Sequence, residues 1–160
     1  MTALRLLLMR HGPAEDQSSS GRDFDRRLTP SGRQRVERVA AELSAHREMP
    51  SRIIASPLVR AQETAAIVKA VLGIAAPIED DEDLEPGGPA LRVVRQLLDS
   101  GATSALLVSH EPTTSQLAAQ LLPGFGRSFE TAMVLGVEIA PPKAKRLFLL
   151  EPSTMTWKVG

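Results

Sequence analysis

Cysteine and tyrosine are both absent from the 160-residue chain, aromatic residues make up 3% of it, and histidine occurs three times. Without cysteine there can be no disulfide framework, thiolate nucleophile, zinc–thiolate site or iron–sulfur cluster. With only His11, His46 and His110 on offer, a metal centre would have to take most of its ligands from carboxylates. Sparse aromatics leave no platform on which nucleobases could stack. Nineteen basic residues balance nineteen acidic ones, so no long-range field draws the chain to nucleic acid or to a membrane surface. No apolar run approaches the ~18 residues of a bilayer span. The short run ahead of Arg10 lacks a small-residue cleavage site, and charged chain follows it directly. The expectation is a cytoplasmic protein with neither nucleic acid nor membrane as partner.

What is present is ordinary globular material, 42% hydrophobic and 24% charged. This length is expected to make one domain over residues 1–160. Leu4 to Met9 is an apolar run with the length of a buried strand. Pro13 to Leu28 is polar and rich in Ser, Asp and Arg, which predicts an exposed loop. Thr29-Pro30 then has the form of a helix N-cap followed by proline at the first helical position, with Val36, Val39, Ala40 and Leu43 at helical spacing. The grammar recurs. Ile53 to Ala55 is a short strand, Ser56-Pro57 starts a helix carrying Leu58, Ala61, Ala65, Val68 and Leu72, and Gly73 stops it. A weak strand is expected near Ala75 to Ile78, followed by the acidic loop Glu79 to Glu85. Pro89 opens a helix that Gly101 ends. Ala105 to Val108 is the clearest strand, and a helix through Leu117 and Leu121 follows. Met133 to Ile139 and Arg146 to Leu150 flank a Pro141-Pro142 turn. Strand followed by helix, four times over, predicts an α/β three-layer sandwich: a mostly parallel central sheet of about six strands, with helices on both faces.

Ligands of such sheets bind beyond the carboxyl ends of the strands. Arg10-His11-Gly12 follows the first strand, Ser56-Pro57 the second with Arg60 one turn into its helix, Glu85 lies after the third, and Ser109-His110 follows the fourth. Singly, each has a bland reading. His11 could be a satisfied cap at a strand end, Arg60 a solvated charge, His110 a helix-start residue, and Glu85 one acid of an acidic loop. His46 and the run Arg26, Arg27, Arg33, Arg35, Arg38, broken by Glu37, read as surface. Taken together, the first set has a chemistry. A neutral imidazole is a nucleophile near neutral pH. Two guanidinium groups can hold phosphoryl oxygens and offset the charge that builds on them during transfer. The same guanidinium groups disfavour protonation of His11, a carboxylic acid could protonate a leaving group, and Gly12 lets backbone pass close to an anion. A covalent phosphohistidine intermediate is the natural proposal.

Leu8-Met9-Arg10-His11-Gly12-Pro13-Ala14 resembles the opening signature of the histidine phosphatase superfamily, the phosphoglycerate mutase-like enzymes. Leu28-Thr29-Pro30-Ser31-Gly32, Ala55-Ser56-Pro57-Leu58-Val59-Arg60-Ala61-Gln62-Glu63-Thr64 and Val108-Ser109-His110-Glu111-Pro112 are similar to its further motifs and stand in the same order. The short length, with Asp83-Leu84-Glu85-Pro86-Gly87 and Phe129-Glu130-Thr131-Ala132, is similar to the compact SixA-type phosphohistidine phosphatases. The resemblance implies that His11 is the nucleophile, that Arg10, Arg60 and His110 complete a phosphate pocket with Gly12, and that no metal or cofactor takes part. Larger relatives carry an acid Glu in a fuller motif and insertions that cover the pocket. Here the acidic loop is brief and there is no room for a cap, so the proton donor stays open between Glu85, Asp83 and none. An uncapped site suits phosphohistidine on a protein, as in a histidine-phosphotransfer partner, whose basic leaving nitrogen needs little acid help. A phosphatase for a small phosphorylated metabolite or sugar is the alternative, and a phosphate-binding module without turnover is the reading from another class. A monomer is expected.

Overall fold

The computed structural model describes residues 3–160, so that two residues of the expected 1–160 unit lie outside it. Seven strands form one sheet in the order β3-β2-β4-β1-β5-β6-β7. They are β1 (Leu4–Arg10), β2 (Ile53–Ala55), β3 (Ile78–Asp80), β4 (Ser104–Ser109), β5 (Val134–Ala140), β6 (Lys143–Glu151) and β7 (Thr156–Val159). Among the described residues the four α-helices are α1 (Pro30–Ala45), α2 (Val59–Leu72), α3 (Leu91–Asp99) and α4 (Thr113–Leu121). Neighbours among β3, β2, β4 and β1 run parallel, whereas β5, β6 and β7 are added antiparallel. The expected sandwich is therefore present, with one strand more than the six anticipated. The extra strand is β7, a four-residue edge element after a turn. Thr156 to Val159 alternate polar and apolar over only four residues, too short a span to stand out as a strand.

Each central strand is apolar on both sides because each face is covered. Leu7 and Met9 of β1, Ile53 and Ala55 of β2, and Leu106 and Val108 of β4 pack against Val36, Val39 and Leu43 of α1 and Ala61, Ala65 and Val68 of α2. The alternate residues Leu4, Leu6, Leu8, Ile54, Ala105 and Leu107 pack against Val93, Val94 and Leu97 of α3 and Leu117 and Ala118 of α4. The segregation follows from right-handed crossovers. The chain steps from β1 to β2 and on to β3 in one direction, which places α1 and α2 on one face. It then returns to β4, which places α3 and α4 on the other.

Local chemistry starts and stops these helices. Thr29 caps α1, its Oγ1 accepting from Gly32 N at 2.9 Å, and Pro30 fills the first position, where no amide donor is needed. Gly73 ends α2 in the left-handed region with φ of 71°.

The return of direction has a consequence at the carboxyl edge. β1 feeds α1 on one face and β4 feeds α4 on the other, yet β1 and β4 are neighbours. A crevice opens where adjacent strands send their chains to opposite sides.

A close contact on the antiparallel side gives a test of the packing. Gly136 of β5 lies against the ring of Phe148, and any β-carbon at that position would overlap the ring. Gly136→Ala is expected to lower unfolding free energy by about 1–3 kcal/mol through overpacking, measured as a shift of the denaturant midpoint at unchanged slope. An unaltered midpoint contradicts the described contact.

Candidate active site

Parallel strands in register end together, and here the residue after each end is a histidine. Arg10 pairs with Ser109, so His11 and His110 emerge side by side, their ring centroids 5.1 Å apart with planes at 56°. Residues 99 positions apart in the chain thus meet at the crevice between β1 and β4. Both rings are recessed, His11 being 6% exposed and His110 2%. His11 N also donates to Ser109 O at 3.0 Å, which ties the two strand ends together.

The state of the His11 ring follows from its bonds. Nδ1 lies 2.7 Å from the carbonyl oxygen of Gly12. A carbonyl can only accept, so the proton of the neutral ring sits on Nδ1 and the lone pair on Nε2. Nε2 faces Arg60 Nε at 3.4 Å. Burial lowers the His11 pKa to about 4, and the charges of Arg60, Arg10 and Arg26 push in the same direction. His110 is lowered to about 3, first by burial and then by His11 and Arg60. Both rings are neutral at physiological pH.

Around them stand guanidinium groups with few partners. Arg10 Nη1 donates to Phe129 O at 2.8 Å, while its buried Nε has none. Arg60 is 4% exposed. Its outer edge is taken by Asp23, with Nη1 donating to the Asp23 carbonyl at 2.9 Å and Nη2 to Oδ2 at 3.2 Å. Its Nε edge is left facing His11. Arg26 Nη1 holds the other Asp23 oxygen at 2.9 Å, and the Asp23 carboxyl is held below its ordinary value chiefly by that bond. Burial lowers both Arg10 and Arg60. Gly12 N donates to Thr64 Oγ1 at 3.0 Å, and Thr64 in turn donates to Arg60 O at 2.8 Å, which locks the loop after β1 to the first turns of α2. Close packing also holds Gly12, where a β-carbon would overlap Val36.

Of the residues singled out in the sequence, His11, Arg10, Gly12, Arg60 and His110 are brought together. Among the described residues, Glu85 makes no hydrogen bond or ion pair with that set; its carbonyl accepts from Gly88 N at 2.8 Å and Thr113 Oγ1 at 3.3 Å. The carboxylate whose charge acts on His110 is Asp23. Asp83 pairs with Arg92 at 3.4 Å, toward α3. His46 is exposed and stacks on Trp157 at 3.7 Å, at the C-terminal end of α1.

Four neighbours carried no role in the sequence reading. Asp23 and Arg26 belong to the stretch Pro13 to Leu28, most of which is exposed as expected, but a short 3-10 turn at Asp23–Asp25 lays it across Arg60. Ser56 Oγ lies 2.8 Å from His110 Nε2. Glu111 caps α4, its Oε1 accepting from Ser115 N at 2.9 Å and from the Thr114 hydroxyl, and its charge reaches Arg10. Ser56 and Glu111 were within quoted motifs, so adjacency to a candidate residue was the available signal. Nothing in the loop sequence distinguishes Asp23 from Asp16 or Asp25.

Similarity to known proteins extends over most of the chain. Residues 6–85 match the family model of the histidine phosphatase superfamily (branch 1). The chain is 31% identical over 124 residues to the phosphohistidine phosphatase SixA of Escherichia coli (strain K12), covering 76% of each chain. It is 34% identical over 128 residues to a SixA homolog of Haemophilus influenzae, covering 74% of this chain and 77% of that one. Among solved structures, that of the protein histidine phosphatase SixA complexed with tungstate superposes with a TM-score of 0.86 at 25% identity, over 95% of this chain and 99% of the other.

The buried rings predict a pH behaviour. Both folded-state pKa values lie below the ordinary 6.5 of an imidazole, so the unfolded chain binds more protons in the window between them. Stability contributed by these groups is complete above about pH 6.5 and is lost as pH falls toward about 4. In proton NMR of the phosphate-free protein, the ring signals of His11 and His110, assigned by single His→Gln variants, are expected not to titrate between about pH 5.5 and 8. A midpoint near 6.5 for either ring contradicts the burial described.

Proposed function

Because the chain belongs to the histidine phosphatase superfamily (branch 1) and is a phosphatase, we propose that it hydrolyses phosphohistidine on a protein through a covalent intermediate on His11, without a metal. Residues 1–160 act in this proposal as one catalytic domain. The observation that carries it is the lone pair of His11 Nε2, buried, neutral, and opposed by Arg60 and the His110 ring.

The steps follow from the geometry. In the first, the substrate imidazole, already protonated by solvent on its other ring nitrogen, leaves as a neutral ring: Nε2 forms a bond to phosphorus while the bond from phosphorus to the substrate nitrogen breaks, its electron pair leaving with that nitrogen. Arg10 and Arg60 hold the equatorial oxygens, where charge accumulates, and their contacts strengthen as it does. As the Nε2–P bond forms, His11 becomes cationic, and the Gly12 carbonyl stabilises its Nδ1–H. In the second step a water oxygen bonds to phosphorus and the Nε2–P bond breaks, its pair returning to Nε2. The water proton leaves as inorganic phosphate ionises into solvent. Positive charge comes from guanidinium groups throughout, so no Lewis acid is required by the scheme.

Two features support a protein-borne substrate. Curated relatives at 31% and 34% identity are named as a phosphohistidine phosphatase and its homolog. The chain between β2 and α2 and between β4 and α4 is only three residues long in each case, which leaves no insertion there to cap the crevice against a large partner. A protonated imidazole leaves readily, so the scheme gives Glu85 at most an assisting part as acid.

Phosphoenzyme trapping tests the proposal. Wild-type protein, quenched in turnover of a labelled phosphohistidine protein, is expected to carry an acid-labile, base-stable label on His11. His11→Ala should carry none, and its kcat should fall by at least about 10³-fold. Absence of label, or label on another residue, contradicts the intermediate. A higher kcat/KM on small phosphate esters than on the phosphohistidine protein contradicts the substrate class.

A further inference from the structure

The other three ring nitrogens of the two histidines each have a partner, but the Nδ1 of His110 is buried without one. Its state depends on Ser56, which is wholly buried at the end of β2. Ser56 Oγ accepts from Leu58 N at 3.2 Å and lies 2.8 Å from His110 Nε2. A hydroxyl has one proton to give. Among the described residues, the acceptor within reach of that proton is Nε2. If Nε2–H were instead the donor, Ser56 would receive two donors and its own proton would be stranded, at a desolvation penalty for a buried group. Nδ1 would then present a bare lone pair, which repels an oxyanion.

We propose that Ser56 is a positioning residue that holds His110 in the Nδ1–H tautomer, so that His110 offers the phosphoryl group a hydrogen-bond donor while His11 offers it a lone pair. The two rings then have the same tautomer and opposite tasks. In His11 the Nδ1 proton is consumed by the Gly12 carbonyl and Nε2 is left as nucleophile. In His110 the lone pair on Nε2 is consumed by Ser56 and Nδ1–H is left as donor. The otherwise unpartnered nitrogen is satisfied when a phosphoryl oxygen binds, and its bond strengthens as charge develops on that oxygen. Neutral His110 achieves this without adding a further buried cation beside Arg10 and Arg60. The identity of the oxyanion rests on the phosphatase reading above; the tautomer does not.

Long-range proton–nitrogen correlation spectra of the 15N-labelled full chain at neutral pH read the tautomer directly, with the His110 signals identified by their loss in His110→Gln. The expected result is a protonated Nδ1 and an unprotonated Nε2 at His110 in the free wild-type protein, and a shift of the Nδ1–H signal on titration with inorganic phosphate. Ser56→Ala is expected to redistribute the proton toward Nε2 and to lower kcat/KM by about 10–100-fold, with Ser56→Thr restoring both pattern and rate. An Nε2–H tautomer in wild type overturns the inference while leaving the phosphatase reading intact. So does a folded Ser56→Ala protein with wild-type tautomer and rate. Should Ser56→Ala fail to fold, the wild-type spectrum decides. The predicted tautomer without any response to phosphate overturns the donor role and counts against the site as a phosphoryl pocket.

Discussion

The hydrogen bond from His11 Nδ1 to the Gly12 carbonyl, 2.7 Å long, determines which nitrogen carries the lone pair, and much of the structure serves to keep it. It needs the chain to turn immediately after β1, which Gly12 allows by packing against Val36, and it needs that turn held by the Thr64 hydroxyl. For Nε2 to keep its lone pair the ring must also be uncharged, which burial ensures. With these in place the Nε2 lone pair accepts from Arg60 Nε, and the second imidazole is delivered alongside by the register of β1 with β4. The sheet is thus an alignment device. Strands joined through long stretches of chain end level with each other, and their next residues become neighbours.

Positive charge dominates the pocket. Arg10 and Arg60 are each destabilised as cations by burial, and both histidines are neutral. The Asp23 carboxylate bridges Arg60 and Arg26 at the mouth, and the charge of Glu111 reaches Arg10. An anion entering such a site meets donors that are already oriented and short of partners, including Arg10 Nε. This preorganisation matters more for phosphoryl transfer than proton shuttling does, because charge on the equatorial oxygens is what the protein must stabilise. The Glu85 backbone shapes the loop after β3 by bonds to Gly88 and Thr113.

Much of this was legible in the chain. Two-sided apolar runs identified β1 and β4, Thr29-Pro30 identified the start of α1, and the rule that ligands gather beyond strand ends brought Arg10, His11, Arg60 and His110 to one place. Less was legible where meaning depends on contacts distant in sequence. β3 lies at Ile78–Asp80 and not upstream of Ile78, because its register is set by pairing with β2 and its own acidic residues conceal it. β7 is an edge strand whose alternation is too short to stand out. Asp23 sits in a loop with no periodicity, so its approach to Arg60 could not be read from spacing. Ser56 was visible as a helix-start residue, but its second partner, His110, is 54 positions away.

A crystal structure of the protein with vanadate tests the central claim most directly. The account predicts vanadium bonded at its apex to His11 Nε2, equatorial oxygens on Arg10 and Arg60, and the His11 Nδ1–Gly12 bond retained. Vanadate bound elsewhere, or bound in the pocket with His11 turned so that Nε2 makes no bond to the metal, would contradict it.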